Sequence, residues 1–154
     1  MRQTLQRSLV ILVVGAAGGL VINVLSPGRI AWITPPKPVL ATADEISLAE
    51  AEVLWRSGSG FFLDARAPLD YAAGHIANAL SLPAEAFARH YPAIAPMLAR
   101  DSMIVVYCDG PRCELSHELL GRLRELGYAK TRVLVNAWTI WRQAKLPTTS
   151  GEQP

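Results

Sequence analysis

The stretch YCDGPRCELS at residues 107–116 contains both cysteines of the chain and decides its fold. It follows Met103–Tyr107, an apolar and largely β-branched run that is too short for a helix and typical of a strand buried on both faces. After it, leucines at 115, 119, 123 and 126 predict an amphipathic helix that ends at Gly127. The stretch is therefore predicted to be a loop that joins the carboxyl end of a strand to a helix start, where ligands bind in open α/β sheets.

Cys108 is the candidate nucleophile of this loop. Unpaired N–H groups and the dipole at a helix start stabilise an anion, and the thiolate is the reactive form of cysteine. Gly110 would let the backbone curl into a nest of N–H groups around the sulfur. The predicted active-site loop after the nucleophile consists of Asp109, Gly110, Pro111, Arg112 and Cys113.

The segments on either side predict an α/β fold with a central parallel sheet flanked by helices. Ser47 and Glu50 form a capping-box pattern at the start of a first helix. Short apolar runs at 61–63, 79–82 and 132–135 predict further strands, and 84–100 predicts one or two short helices broken at Pro92 and Pro96. Strands that alternate with helices indicate parallel pairing.

Several motifs, in this order, resemble the rhodanese-like sulfurtransferases over residues 44–147. Besides the cysteine loop they are FLDAR at 62–66, DY at 70–71, GHIANA at 74–79, VLVNAW at 133–138, Trp141, and LP at 146–147. The resemblance implies a double displacement in which Cys108 carries sulfur as a persulfide from a small donor to a thiol acceptor. It also implies that no cofactor or metal is required, and that Asp64, Arg66 and His75 support the structure rather than the chemistry.

The loop departs from the commoner family pattern in its charge. Asp109 stands where many relatives have a basic residue, and Cys113 stands where many have an arginine. A strongly anionic donor such as thiosulfate should be attracted less. Related phosphatase loops clamp an oxyanion with an arginine at the position of Glu114, which argues against a phosphatase.

Cys113 has four competing interpretations. It could pack as a small apolar residue, form a disulfide with Cys108, resolve a Cys108 persulfide, or join Cys108 and His117 as a metal ligand. Three donors without a fourth are weak evidence for zinc, so no metal site is predicted. Two function classes follow: a sulfurtransferase, or a binding or thiol–disulfide redox module that uses Cys108 and Cys113.

The amino-terminal part predicts a single membrane span. Residues 8–25 carry no charge and are long enough as a helix to come close to crossing a bilayer, between a short tail at 1–7 and a Pro-rich linker at 26–43. A cleaved signal peptide, a buried helix and the opposite orientation compete with this hypothesis. The only good small-residue cleavage site, 41–43, lies too far past the apolar run for ordinary cleavage.

The charges around the span predict an inner-membrane protein whose domain lies on the periplasmic side. Arg2 and Arg7 lie close before the span, together with the free amino terminus, whereas Arg29 and Lys37 follow at a greater distance. Gly15 and Gly19 form a small-xxx-small pair that could pack against a membrane-protein partner or a second copy.

Composition excludes other classes. The 154 residues contain two cysteines, which rules out a disulfide framework. The net charge of +2 comes from Arg2 and Arg7, because the remaining 13 Lys and Arg residues balance the 13 Asp and Glu residues. No nucleic-acid partner is therefore expected. Residues 148–154 are polar and predicted to form a flexible tail.

Overall fold

The computed structural model describes residues 6–8, 14–15, 19, 43–110 and 114–151. The chain divides into two units, Met1–Val39 and Leu40–Pro154. Most of the predicted span at 8–25, almost all of the linker at 26–43, and Pro111, Arg112 and Cys113 of the loop lie outside the described residues. No helix built from the described residues combines the length and the apolar character that crossing a membrane requires.

Helices and strands alternate through the second unit. In chain order they are α1 (Leu48–Ser57), β1 (Gly60–Asp64), α2 (Pro68–Ala73), β2 (His75–Ile76), β3 (Leu80–Ser81), a 3-10 turn (Ala84–Ala86), α3 (Phe87–Ile94), a second 3-10 turn (Ala95–Met97), β4 (Met103–Tyr107), α4 (Glu114–Glu125), β5 (Thr131–Leu134), α5 (Ala137–Gln143) and β6 (Thr148–Thr149).

Four strands form a parallel sheet in the order β3-β1-β4-β5, which confirms the predicted α/β fold. In register, Tyr107 lies opposite Asp64 on one side and Leu134 on the other, so these strands end at one edge. Glu45 extends the sheet by a parallel bridge to Val133. The remaining strands, β2 and β6, pair antiparallel in a separate ribbon.

Side chains alternate between the two faces of the sheet, as strand geometry requires. On one face, Leu63 and Val106 belong to a core that α3 and α4 cover. On the other face, Phe62 and Val105 belong to a core with Trp141 of α5 and Ala51 of α1. Both faces of the sheet are therefore buried, and the edge where the strands end is the place left for a site.

Local sequence signals set the ends of two helices as predicted. Ser47 and Glu50 form a complete capping box at the start of α1. Gly127 follows α4 with a φ of 92°, a left-handed conformation that costs glycine least.

The structure differs from the sequence predictions in two places. Pro92 lies inside α3 rather than breaking it: the helix lacks the hydrogen bond that a residue-92 N–H would donate, yet it continues for two more residues to Ile94. Thr148 and Thr149, predicted as part of a flexible tail, pair with β2. That pairing uses backbone groups, which leave no apolar pattern in the sequence.

Candidate active site

An open cleft of about 470 Å³ lies at the edge of the sheet where the strands end. It is built from the segments that follow β1, β3 and β4, together with the first turns of α4 and α5. The described residues that line it are Ala65, Arg66, Ala67, Pro68, Asp70, Pro83, Glu85, Ala86, Cys108, Asp109, Leu115 and Trp138. The cleft therefore joins the predicted nucleophile to side chains from four separate parts of the chain.

Cys108 is the first residue after β4 and is fully buried. Its Sγ lies 3.5 Å from Oγ of Ser116, a buried residue in the first turn of α4. The structure has Cys108 in a disulfide-bonded state. Cys113 is the only other cysteine in the sequence and lies outside the described residues. Cys108 must therefore be reduced before its sulfur can act as a nucleophile.

Asp109 fastens the loop to α5. Its Oδ1 accepts hydrogen bonds from the Thr139 hydroxyl at 2.8 Å, from the Thr139 backbone N–H at 3.3 Å and from the Gly110 N–H at 3.0 Å. A carboxylate at this place satisfies an unpaired N–H at the start of the helix and interacts favourably with its dipole. Asp109 is exposed to solvent, but its carboxylate is hydrogen-bonded to the first turn of α5.

Two further contacts complete the junction between the loop and α5. The Gly110 N–H also donates to Oδ1 of Asn136 at 3.1 Å, and the Trp138 N–H donates to the Cys108 carbonyl at 3.3 Å. Asn136 reaches this position from a left-handed conformation, with a φ of 52°. In this disulfide-bonded form the Gly110 N–H donates to side-chain oxygens of Asp109 and Asn136. The predicted nest around the sulfur depends also on residues 111–113, outside the described residues, and stays a prediction.

Asp64 and Arg66 form a buried ion pair beside the cleft. Nη2 of Arg66 lies 2.5 Å from Oδ2 of Asp64 and donates to the Gly74 carbonyl at 2.7 Å. Burial tends to lower the pKa of Arg66, but the hydrogen bond and charge of Asp64 outweigh it and raise that pKa. Burial, with the Asp64 charge, also raises the pKa of Tyr107, whose hydroxyl accepts from the Ile76 N–H at 3.2 Å.

His75 lies in the core, among none of the described residues that line the cleft. Its Nδ1 lies 2.8 Å from the Tyr71 carbonyl, so Nδ1 carries the hydrogen. The imidazole stacks on the Tyr71 ring with centroids 3.6 Å apart, and burial raises the pKa of Tyr71 to about 12. These contacts hold the turn after α2 and place no proton donor or acceptor of His75 in the cleft.

Trp138 forms a wall of the cleft that the sequence reasoning missed. The guanidinium carbon of Arg66 lies 4.9 Å from the centroid of its indole, and that of Arg142 lies 5.4 Å away. Ser116, Asn136 and Thr139 were missed as well. The rule that sites form where parallel strands end could have indicated Asn136 and Trp138, which follow β5 directly.

The described residues contain no cluster of three or more His, Cys, Asp or Glu side chains arranged to hold a metal ion. His117, one of the three donors considered from the sequence, is exposed on α4. The cleft instead presents one disulfide-bonded sulfur, carboxylates at its rim and an apolar floor.

Comparison with known proteins agrees with the fold and places the chain in a family. A model of the rhodanese-like domain matches residues 47–144, more than half of the chain. A tRNA uridine(34) hydroxylase of Salmonella agona is 36% identical over 74 residues, which cover 46% of this chain and 21% of that protein. This chain thus spans about a fifth of that relative.

Solved structures share the fold at low identity. The BH2092 protein of Bacillus halodurans superposes with a TM-score of 0.61 at 21% identity, covering 71% of this chain and 78% of that one. The human single-domain sulfurtransferase TSTD1 superposes with a TM-score of 0.55 at 24% identity, covering 66% of this chain and 97% of that one. With the family match over 47–144 and the cysteine cleft at the end of β4, the chain belongs to the rhodanese-like domain family.

Proposed function

We propose that the protein is a membrane-anchored sulfurtransferase in which Cys108 carries sulfane sulfur as a persulfide. The observation that carries this proposal is the position of Cys108 at the base of the cleft, between the end of β4 and the start of α4. Its sulfur lies 3.5 Å from Oγ of Ser116 in the first turn of α4, and the start of a helix favours a nearby thiolate. The family supports sulfur-transfer chemistry, and one protein with this fold is a human sulfurtransferase.

The reaction consists of two displacements on sulfur. The Cys108 thiolate attacks the outer sulfur of a donor, a bond forms between the two sulfurs, and the donor leaves with the electron pair of its own broken bond. An acceptor thiolate then attacks the outer sulfur of the persulfide, and Cys108 leaves as a thiolate. The sulfur atom moves from donor to acceptor without net oxidation of the protein.

The described residues act by position and by their polar groups. The Ser116 hydroxyl, 3.5 Å from the Cys108 sulfur, is placed to donate a hydrogen bond to a thiolate. Asp109 holds the first residues of the loop against α5. Apolar side chains of Ala65, Pro83 and Leu115 line the cleft and limit the water around the sulfur.

Steady-state transfer from a polysulfide donor to a thiol acceptor tests the proposal with the reduced, full-length protein. We expect Cys108→Ser to abolish transfer and Cys113→Ser to retain it. The Ser102→Ala variant, which changes a residue outside the cleft, serves as a control for purification and folding. Undiminished turnover by Cys108→Ser would show that Cys108 is not the sulfur carrier.

We further propose that residues 8–25 anchor the domain in the inner membrane, with the domain on the periplasmic side. The support is the uncharged run itself and the placement of Arg2 and Arg7. Expressed in bacterial cells, the full-length protein should stay in the membrane pellet after alkaline extraction. Release into the supernatant would contradict the anchor. A protease added to intact spheroplasts should digest the domain, and digestion only after the spheroplasts are lysed would contradict the orientation.

A second candidate function is favoured by the disulfide-bonded state of Cys108. In this alternative Cys108 and Cys113 form a redox pair that oxidises a partner dithiol, taking two electrons and two protons. This alternative predicts that the Cys108–Cys113 disulfide equilibrates with a glutathione buffer. It also predicts that the protein oxidises a dithiol fully without any sulfur donor. The two functions separate in one assay, because only the sulfurtransferase adds a sulfur atom to its acceptor.

A further inference from the structure

We infer that the sulfur acceptor carries a positive charge close to its thiol, and that Glu85 and Asp70 select it. This inference rests on the proposed sulfurtransferase function and concerns the charge of the cleft around Cys108. The site itself is defined by the cleft and the sulfur. The two carboxylates decide which charge enters it.

The guanidinium of Arg66, which lines the cleft, is already paired with a buried carboxylate. Arg66 donates from Nε to both carboxylate oxygens of Asp64, at 2.9 and 3.1 Å, and from Nη2 to Asp64 and Gly74. Its side chain is only 9% exposed and lies over the ring of Trp138. The positive charge of Arg66 is therefore balanced by Asp64, and its Nε and Nη2 groups are engaged within the protein.

The carboxylates at the rim of the cleft, unlike Arg66, have no ion-pair partner among the described residues. Asp70 and Glu85 are exposed, line the cleft from two separate segments, and form no ion pair within the described part of the chain, although the charge of Asp70 acts at a distance on Arg66. Asp109 also lines the cleft, but it is held at the start of α5. Among the described residues that line the cleft, the charge without an ion-pair partner is therefore negative.

The negative charge of Asp70 and Glu85 has opposite effects on cationic and anionic thiol acceptors. An ammonium or guanidinium beside the thiol is attracted and is held with its sulfur toward Cys108, whereas a carboxylate is repelled. The same chemistry occurs in a small aminothiol and in a peptide cysteine flanked by lysine or arginine. Both are cationic thiols, and the experiment below separates them.

The test measures how fast the persulfide of the full-length protein is discharged by thiols of similar size and different charge. Reduced protein is loaded with polysulfide, freed of excess donor, and mixed with cysteamine, 2-mercaptoethanol or 3-mercaptopropionate. Intact mass reports the loss of sulfur, and each rate is expressed per concentration of thiolate. We expect wild-type protein to react fastest with cysteamine and slowest with 3-mercaptopropionate.

The variants Glu85→Gln and Asp70→Asn should each lower the cysteamine rate by about three- to tenfold and raise the 3-mercaptopropionate rate by a similar factor. The rate with 2-mercaptoethanol should stay within about twofold. Glu125→Gln removes an exposed carboxylate outside the cleft and serves as the matched control. Arg112→Gln is measured in parallel, because that residue belongs to the loop but lies outside the described residues.

A second arm compares a cysteine peptide flanked by lysines with one flanked by glutamines. Faster discharge by the lysine peptide than by cysteamine assigns the charge to a protein acceptor, and the reverse order assigns it to a small aminothiol. The inference is overturned if Glu85→Gln and Asp70→Asn discharge to cysteamine and to 3-mercaptopropionate at the wild-type rates, or if the wild-type protein reacts equally fast with all three thiols. A wild-type protein that accepts no sulfur would overturn the proposed function together with the inference.

Discussion

Asp109, in the loop after β4, supplies the cap for α5 by accepting hydrogen bonds from both the backbone N–H and the hydroxyl of Thr139. The residue at the start of this helix, Asn136, makes no capping bond with its own side chain and instead accepts from Gly110. The acidic residue that departs from the commoner family pattern thus has a structural role. It ties the loop that carries the nucleophile to the last helix of the domain.

Removing this carboxylate should loosen the junction. We expect Asp109→Ala to lower the free energy of unfolding by about 1 to 2 kcal/mol, because the start of α5 loses its cap. Sulfur loading of Cys108 should slow in the same variant, since the loop is no longer held. Urea unfolding measures the first effect, with the exposed Asp101→Ala as control. Equal urea midpoints for Asp109→Ala and wild type would show that Asp109 does not stabilise the start of α5.

The buried ion pair beside the cleft predicts a larger effect. Asp64→Ala leaves the guanidinium of Arg66 without its carboxylate in a buried position. Breaking such a pair typically costs about 3 to 5 kcal/mol of unfolding free energy. The surface pair of Arg56 with Glu52 offers a matched control, where Glu52→Ala should cost at most about 0.5 kcal/mol. Similar losses of unfolding free energy in Asp64→Ala and Glu52→Ala would show that the buried pair matters no more than the surface pair.

Gly74 and Trp138 are in close contact, which predicts a specific steric effect on the cleft. A Cβ at Gly74 would lie 2.9 Å from Cζ2 and 3.0 Å from Cη2 of Trp138. Gly74→Ala should therefore push the indole out of place and lower kcat/KM for sulfur transfer by about tenfold, with a loss of about 1 to 3 kcal/mol in stability. A Cβ at Gly121 meets nothing within 4 Å, so Gly121→Ala in α4 should leave activity unchanged. Wild-type kcat/KM in Gly74→Ala would show that the position of Trp138 does not matter.

The capping box of α1 predicts a pH dependence of stability. Hydrogen bonds from the Ser47 hydroxyl and backbone N–H hold the pKa of Glu50 below its ordinary value of 4.5. Because the folded pKa is the lower one, this contact stabilises the protein above about pH 4.5 and is lost as the pH falls through the folded pKa. Ser47→Ala should thus lower Tm at pH 7 more than at pH 3, whereas Ser47→Thr keeps the cap. A Tm difference between wild type and Ser47→Ala that is the same at both pH values would contradict this linkage.

Much of the fold could be predicted because its signals are local. The β-branched run before Cys108, the leucines after it and the capping box at Ser47 each determine their own element through neighbouring residues. The position of Cys108 at the end of a parallel strand follows from the same patterns. The bounds of β1, β3, β4 and β5 differ by at most one residue at each end from the predicted runs.

The remaining features depend on contacts between distant parts of the chain. Asp109 meets Thr139, 30 positions later, and β6 pairs with β2 across more than 70 residues. Neither contact leaves a periodic pattern in the sequence. Arg66 has acidic neighbours in the sequence at both Asp64 and Asp70, and only the folded turn after β1 selects Asp64 as its partner. Charge in the cleft likewise depends on which carboxylates have partners, and the sequence does not give those partners.

The most direct test of the central claim is the intact mass of the reduced, full-length protein after incubation with polysulfide. Wild type and Cys113→Ser should gain the mass of about one sulfur atom, and Cys108→Ser should gain none. This result would establish Cys108 as the carrier of sulfane sulfur. No sulfur adduct in wild type, with a loss of two hydrogens that requires both cysteines, would contradict the claim and assign the protein to thiol–disulfide exchange.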